Sequence, residues 1–560
     1  MEILSRYDRK RKFYRLKNGD FVNMEGNGLE SLQEVRQALQ LTDKQLMQDK
    51  IEVPAYRMLY LDETLQENAM MEVIRDVSFA SRIEKLQNPD FEKDYVPDSL
   101  KGILREYQKA GAAWIGMLYS NQFGGILADD MGLGKTLQVI SFLLTEHTGC
   151  SLIVCPASLV YNWKHELERF APSLKADMVT GNVQQRKEVL DRWKEVDVLI
   201  TSYDLLRRDI TDYQELHFFC EVIDEAQYIK NHGTRAARAV KQVQTGFRLA
   251  LTGTPIENRL SELWSIFDYL MPGYLYSYQR FRTELEQPIV QHKDEDAAKR
   301  LQRLIRPFVL RRLKKEVLQD LPDKLEENLY AEMDGEQQEL YDAHVRRMKL
   351  MLEEKSDEEI RTDKIEILAE LTRLRQLCCD PALLYDNYKG GSAKTELVRG
   401  LIRNAVENGH KVLLFSQFTT MLERLYRILE EEKIASHMLT GATPKEKRIE
   451  MVESFAHDEV PVFCISLKAG GTGLNLTAAD VVIHFDPWWN SAVQNQATDR
   501  AHRIGQKNVV NVYRILAKGT IEEKIVELQE RKLQLSDRIL GGESLQAQGL
   551  TREELLELLR

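Results

Sequence analysis

The chain has 560 residues, of which 43% are hydrophobic and 29% charged, and its formal net charge is -11. This length exceeds one compact domain and predicts roughly three or four folding units. The negative charge excludes a passive basic coat for nucleic acid, although it allows a motor that grips its track in a narrow local groove.

Membrane insertion and disulfide formation are both unexpected for this sequence. It contains no apolar run of the roughly eighteen residues that a membrane-spanning helix needs. Its first residues, Met-Glu-Ile-Leu, lack the pattern of a signal peptide. The six cysteines include no C-x-x-C pair, which argues against a zinc cluster. We therefore expect a cytoplasmic protein without membrane partners, associated with the nucleoid if its source is bacterial.

The first region, 1–95, opens with a predicted β-hairpin. Residues 13–16 and 21–24 are rich in aromatic and apolar side chains and flank Asn18-Gly19. Two such runs around an Asn-Gly turn are typical of antiparallel strands.

Short apolar strands then alternate with helical segments in two separate regions, 96–310 and 391–520. This alternation predicts an α/β fold with two lobes, each built on a parallel sheet covered on both faces. Charged, helical protrusions at 311–390 are expected between the lobes, and a charged helix and tail at 521–560 after them. The predicted strands are 125–128, 151–155, 197–201, 220–223 and 248–251 in the first region, and 411–415, 462–465 and 481–485 in the second.

The strongest local motif is Asp-Asp-Met-Gly-Leu-Gly-Lys-Thr at 129–136, between a predicted strand and a predicted helix. This context is typical of a phosphate-binding loop. The Lys135 ammonium would reach the outer phosphates of ATP, and the Thr136 hydroxyl would bind Mg²⁺. Asp130, Gly132 and Gly134 complete the candidate loop. The alternative is a glycine turn that caps an ordinary helix.

A pair of acids, Asp224 and Glu225, ends another predicted strand. In this architecture such carboxylates lie beside the phosphate loop. Asp224 would hold Mg²⁺ through water, and Glu225 would act as general base toward the attacking water. The alternative is two solvated loop acids. Thr252 and Thr254 end the next strand and would sense the γ-phosphate, unless they form a simple strand–turn.

Two arginines of the second region, Arg500 and Arg503, would lie on one face if their segment is helical. From there they could reach the γ-phosphate as arginine fingers. The alternative is a solvated helical face.

The ordered motifs from about 100 to 530 resemble those of the Swi/Snf-type ATPases of helicase superfamily two. Region 1–95 is similar to the associated segment of bacterial members. The motifs that carry the resemblance are 104–108 with Gly111 and Trp114, 153–163, 306–312, 321–324, 374–377 with Pro381, 414–418, 470–476, 486–490 and the Arg-Ala-His-Arg-Ile-Gly-Gln block at 500–506.

This resemblance implies residue roles and domain limits. The implied domains are an N-terminal helicase-associated segment at 1–95, RecA-like lobes at 96–310 and 391–520, helical protrusions and linker at 311–390, and a C-terminal brace helix and tail at 521–560. Nucleotide contacts are implied for Arg105 and Gln108, of which Gln108 would read adenine. Coupling roles are implied for Gln227, Thr252, Thr254, Gly473 and Gln494. Implied DNA contacts are Pro156, Ser158, Asn162, Trp163, Ser416, Thr472 and Asn475.

The predicted function is therefore an ATP- and Mg²⁺-dependent translocase on double-stranded DNA that does not separate strands. A protein complex bound to the DNA is the candidate cargo. Two alternatives stay open at this point. A strand-separating helicase would need a wedge and a single-strand groove, and we see no clear wedge. A nucleotide-gated scaffold would hydrolyse little ATP, and the intact Glu225 argues against it.

Overall fold

The computed structural model describes residues 95–527 with gaps at 147, 254–259, 319–320, 356–362, 468–473 and 490. Earlier and later residues are described in short pieces: 13–15, 21–23, 36, 45, 48, 50–53, 55–58, 61–62, 65, 74–87 and 529. Phe13–Arg15 pairs antiparallel with Phe21–Asn23, which confirms the predicted hairpin, while its Asn-Gly turn lies outside the described residues. In this described portion, no helix combines the length and apolarity needed to cross a membrane.

The first lobe is built on a seven-stranded sheet whose pairings are all parallel. Its central strands are almost completely buried because helices cover both faces. In spatial order the strands are Ala176–Met178, Val198–Ser202, Ser151–Cys155, His217–Asp224, Gln244–Leu251, Gly125–Leu127 and Val309–Leu310. The α-helices described in this lobe are Glu106–Ser120, Lys135–Thr145, Val160–Phe170, Val183–Asp191, Tyr203–Arg208, Ile210–Tyr213, Arg235–Gln242, Leu260–Leu270, Tyr278–Phe281, Gln287–His292, Glu295–Ile305 and Lys314–Val317.

The second lobe is built on a six-stranded sheet, also parallel in every pairing. In spatial order its strands are Lys324–Ala331, Val510–Ala517, Val481–His484, Val412–Ser416, Val462–Ser466 and Ser436–Leu439. The helices described around it are Ala393–Glu407, Thr419–Glu431, Lys445–His457 and Ser491–Thr498. Two parallel-sheet lobes confirm the predicted fold class.

The stretch 311–390 differs in part from the expectation of helical protrusions. Helices Gly335–Glu354 and Lys364–Cys379 do lie there and pack on 521–527 through a shared apolar cluster. The strand Lys324–Ala331, however, belongs to the second sheet, paired only with Val510–Ala517. Because this edge strand is largely solvent-exposed, its charged sequence lacks the apolar run that marks a buried strand.

Candidate ATP site between the two lobes

The phosphate loop connects the strand Gly125–Leu127 to the helix Lys135–Thr145. Gly132 and Gly134 have φ angles of 86° and 74°, a region that favours glycine. A Cβ atom at Gly134 would lie 2.4 Å from Gln108 Nε2, so a side chain there would also clash. The loop therefore depends on both glycines for its shape.

Lys135 and Asp129 organise the interior of this loop. Lys135 Nζ donates to the Asp129 carbonyl oxygen at 2.5 Å. The buried Asp129 carboxylate accepts from Arg312 Nε at 2.9 Å and from Gln138 Nε2 at 3.1 Å. Asp129 therefore pairs with a cation inside the lobe, which gives a structural reason for an acid at the first position of the loop.

Gln108 lies against the phosphate loop rather than on an open surface. Its side chain is 3% exposed, its Nε2 donates to the Leu133 carbonyl at 3.0 Å, and its Oε1 accepts from Arg105 N at 2.9 Å. Tyr107 Oη donates to the same Leu133 carbonyl at 3.0 Å. In this arrangement Gln108 fixes the loop, and adenine reading by Gln108 and Arg105 stays a prediction.

Asp224 ends the central strand His217–Asp224 and Glu225 follows it, close enough to the phosphate loop for the Lys135 charge to act on Asp224. Glu225 has a φ of 52°, an unusual backbone conformation for a side chain other than glycine and one found at functional sites. Burial raises the pKa of Asp224, and the neighbouring Glu225 carboxylate adds to this effect, while the Trp163 hydrogen bond and Lys135 oppose it. A cation placed beside these acids would be favoured by the same electrostatics.

Trp163, which the resemblance assigns to DNA contact, forms a hydrogen bond with Asp224 of the acid pair. Only 1% of it is exposed, and its Nε1 donates to Asp224 Oδ2 at 2.9 Å. Trp163 points into the lobe from the helix Val160–Phe170, and its DNA contact stays a prediction.

Mg²⁺ fits the donor set at this edge of the sheet. The hydroxyl of Thr136 and the carboxylate of Asp224 are the hard oxygen ligands that Mg²⁺ prefers, and the remaining positions are normally filled by phosphate oxygens and water. No cluster of three or more His, Cys, Asp or Glu side chains able to hold a metal occurs in the described ranges. With Thr136 and Asp224 as its protein ligands, the ion would bind together with the phosphates of the nucleotide.

A chain of hydrogen bonds joins Glu225 to the neighbouring strand within the first lobe. Gln227 Nε2 donates to Glu225 Oε2 at 2.8 Å, and Thr252 Oγ1 donates to Gln227 Oε1 at 2.9 Å. Both ends of the Gln227 amide are thus engaged, and the coupling role of Gln227 stays a prediction. Thr254 lies outside the described residues.

The second lobe contributes Gln496 to the same carboxylate. Gln496 Nε2 donates to Glu225 Oε1 at 3.0 Å, although the two residues are 271 positions apart. Gln494, the glutamine chosen from the sequence, is 4% exposed and accepts a long 3.4 Å hydrogen bond from Trp488 N within its own lobe. The sequence signal that could have indicated Gln496 is its position on the same helix as Gln494 and closer to Arg500 and Arg503.

Arg500 and Arg503 lie in turns, since the helix Ser491–Thr498 has already ended. A Cβ atom at Gly132 would lie 2.9 Å from Arg503 Cβ, which places this turn directly on the phosphate loop. Burial lowers the pKa of Arg500 to about 10, the charge of Arg503 adds to this effect, and Glu225 opposes it. Arg500 is buried and Arg503 is half-buried beside the phosphate loop, and their role as arginine fingers stays a prediction.

The remaining predicted DNA contacts have different surroundings. Pro156 and Ser416 are buried, and Ser416 Oγ donates to Asp486 Oδ1 at 2.6 Å. Their contacts with DNA stay a prediction. Asn475 is exposed, and Ser158 and Asn162 are half-buried. Thr472 and Gly473 fall in the gap at 468–473.

Two parallel-sheet lobes that enclose a phosphate loop, an acid pair and two arginines define a helicase-type ATPase. Sequence comparison extends this assignment. The SNF2-related domain matches residues 107–383, the helicase conserved C-terminal domain matches 393–505, and the bacterial SNF2 helicase associated domain matches 1–97. The chain belongs to the SNF2 family of ATP-dependent helicases.

Similar proteins are found in bacteria and archaea. The Mycoplasma genitalium ATP-dependent helicase MG018 is 42% identical over 464 residues, 81% of this chain and 44% of that protein. Bacillus subtilis YwqA, named as an ATP-dependent helicase/translocase, is 41% identical over 479 residues, 83% of this chain and 51% of that protein. The chain thus spans about half the length of these curated relatives. The solved Sulfolobus solfataricus SWI2/SNF2 ATPase core in complex with dsDNA is 37% identical, with 78% of this chain and 93% of that chain covered and a TM-score of 0.40.

Proposed function

We propose that this chain is an Mg²⁺-dependent ATPase that translocates along double-stranded DNA without separating its strands. The observation that carries the proposal is the position of Glu225, whose two carboxylate oxygens accept from Gln227 of the first lobe and Gln496 of the second. The general base is therefore fully oriented only while the lobes are in contact. Hydrolysis and lobe closure are linked by this geometry.

The chemistry uses groups of both lobes. Glu225 takes a proton from the water that attacks the γ-phosphorus, and the bond to the β-phosphate oxygen breaks to give ADP and phosphate. Lys135, Arg500 and Arg503 neutralise the charge that develops on the transferred group. Thr136 and Asp224 would hold Mg²⁺, which supplies further neutralisation of the phosphates when bound.

Hydrolysis would weaken the contact between the lobes. The γ-phosphate is the anion that lies between Lys135 of one lobe and the arginines of the other. Once it leaves, these cations repel one another at short range, and the lobes can separate. Repeated closure and opening would move the motor by one step for each ATP.

The DNA track is supported by family membership and by the helicase/translocase name of YwqA. Ser158 and Asn475, one on each lobe, keep polar side chains at the surface. Contacts of this kind would be made to phosphates, which carry no sequence information, so the motor should accept any sequence. A DNA-bound protein complex is the proposed cargo.

Stimulation of ATP hydrolysis tests the proposal directly. We expect duplex DNA to stimulate the purified chain more than single-stranded DNA or RNA, and Lys135→Ala and Arg503→Ala to abolish the stimulated rate. Lys187→Ala, on an exposed side chain of the first lobe, is the matched control and should retain it. Displacement of a triplex-forming strand without unwinding of a duplex would establish translocation. Stronger stimulation by single strands would instead identify a strand-separating helicase.

A further inference from the structure

Lys314 lies where the phosphate loop and the arginine-bearing turn meet. It begins the short helix Lys314–Val317, just after the edge strand Val309–Leu310 of the first lobe. Its backbone N–H donates to Asp130 Oδ2 of the phosphate loop at 3.0 Å. Lys314 therefore contacts the phosphate loop through its main chain.

The side chain of the same residue reaches the second lobe. Lys314 Nζ donates to Asp499 Oδ1 at 2.5 Å and to the carbonyl oxygen of His502 at 2.6 Å. Asp499 and His502 immediately precede Arg500 and Arg503, so the ammonium contacts the backbone and side chain of the turn that carries both arginines. We call residues 499–503 the arginine turn.

Burial makes this contact specific. Lys314 is 8% exposed, and an ammonium group removed from water in this way needs a charged partner and well-placed acceptors. Asp499 supplies the charge, and the His502 carbonyl supplies a second acceptor. Removal of either charged group would leave its partner without an opposite charge beside the ATP site.

The phosphate loop, Lys314 and the arginine turn lie in close contact with one another. A Cβ atom at Gly132 would lie 2.9 Å from Arg503 Cβ and 3.6 Å from Lys314 Cε. His502 Nε2 lies 2.9 Å from the Pro322 carbonyl oxygen, a second link from the arginine turn to the segment between the lobes. A shift of the arginine turn would therefore change its contacts with the phosphate loop.

We propose that Lys314 is a positioning residue that sets the arginine turn against the phosphate loop through its ion pair with Asp499. It touches no phosphate in this role. It fixes where Arg500 and Arg503 stand when the lobes close, while Asp130 anchors its backbone to the nucleotide-binding loop. The inference rests on ATP hydrolysis between the lobes and is independent of the nature of the track.

Steady-state hydrolysis of ATP with saturating duplex DNA measures this role. Lys314→Met and Asp499→Asn should each lower kcat by about 10- to 100-fold, the usual cost of misplaced catalytic groups, while the Kd of a fluorescent ATP analogue changes less than about twofold. The double variant should be no slower than the slower single variant, since the pair acts as one unit. Lys314→Arg should keep a substantial part of kcat because it retains the charge. The neighbouring exposed Lys315→Met is the matched control and should behave as wild type.

Lobe closure provides a second measurement that does not depend on turnover. Fluorescence energy transfer between labels on Lys187→Cys and Glu430→Cys, both exposed and on different lobes, should rise with ADP and beryllium fluoride in wild type. Lys314→Met should reduce that rise, and Lys315→Met should not. If wild type closes but hydrolyses no ATP, the proposed function fails while the Lys314 comparison still applies. Equal kcat and equal closure for Lys314→Met and Lys315→Met, or multiplicative losses in the double variant, would overturn the inference.

Discussion

Gln496 Nε2 of the second lobe donates to Glu225 Oε1 of the first at 3.0 Å. The other oxygen of that carboxylate accepts from Gln227 at 2.8 Å. With both oxygens engaged, the carboxylate plane is fixed relative to the phosphate loop. Contact between the lobes therefore contributes directly to the orientation of the Glu225 carboxylate, the proposed general base.

Removal of the Gln496 amide should lower catalysis more than binding. We expect Gln496→Ala to reduce the DNA-stimulated kcat by about 10- to 100-fold, within the range for a misoriented general base, with KM for ATP changed less than about threefold. Gln184→Ala, an exposed glutamine on the first lobe, is the control for loss of an amide. An unchanged kcat in Gln496→Ala would show that the contact does not orient Glu225.

Substitution of Trp163 should raise the Mg²⁺ concentration that hydrolysis requires and leave DNA binding unchanged. Trp163→Phe keeps the buried ring and removes the N–H that donates to Asp224 Oδ2 at 2.9 Å. Since such outer hydrogen bonds orient metal ligands, we expect the Mg²⁺ concentration for half-maximal hydrolysis to rise by about 10-fold, with unchanged affinity for duplex DNA. Weaker DNA binding with an unaltered Mg²⁺ dependence would instead support the prediction that Trp163 contacts DNA.

The sequence was most informative where strands are buried on both faces. Ser151–Cys155 was predicted residue for residue, and the other central strands were found to within a few positions. Edge strands such as Ala176–Met178 and Ser436–Leu439 were missed because partial exposure removes the continuous apolar run. Val510–Ala517 was also missed, since polar and charged residues interrupt its apolar positions.

The site could be predicted only as far as its local motifs extend. Lys135 was predicted from the residue spacing of the phosphate loop, and the acid pair from its position at the end of a strand. Both are local patterns. The contacts of Lys314 with the arginine turn and of Gln496 with Glu225 join residues 185 to 271 positions apart. No local pattern encodes such contacts, which depend on how the two lobes meet.

Glu221 should make the stability of the first lobe depend on pH. Both of its carboxylate oxygens are buried without a hydrogen bond among the described residues, and Arg248 Nε lies 3.6 Å away. Burial raises the pKa of Glu221 from 4.5 to about 8, against the opposing charge of Arg248. Because the folded-state pKa is the higher one, the stabilisation is complete below pH 4.5 and is lost as pH rises toward 8.

Substitution of Glu221 isolates this effect. Glu221→Gln should raise the free energy of unfolding by up to about 4 kcal/mol at pH 8 and flatten its fall between pH 5 and pH 8. Urea denaturation followed by tryptophan fluorescence at several pH values measures both. Glu188→Gln, an exposed carboxylate of the same lobe, should leave the pH profile unchanged. A wild-type profile retained in Glu221→Gln would rule out this carboxylate as its source.

The C-terminal helix should depend on a buried ion pair with the second lobe. Lys394 Nζ lies 2.9 Å from Glu522 Oε2, and both side chains are 0% exposed. Lys394→Met would leave Glu522 buried without its partner, and we expect a loss of about 3–5 kcal/mol in the free energy of unfolding. Lys394→Met combined with Glu522→Leu should recover much of that loss, because no uncompensated charge remains. The exposed pair Lys518–Glu332 is the matched comparison, and Lys518→Met should leave the free energy of unfolding almost unchanged, because surface ion pairs contribute little. Similar losses for the two lysine variants in thermal unfolding would show that the buried pair does not secure this helix.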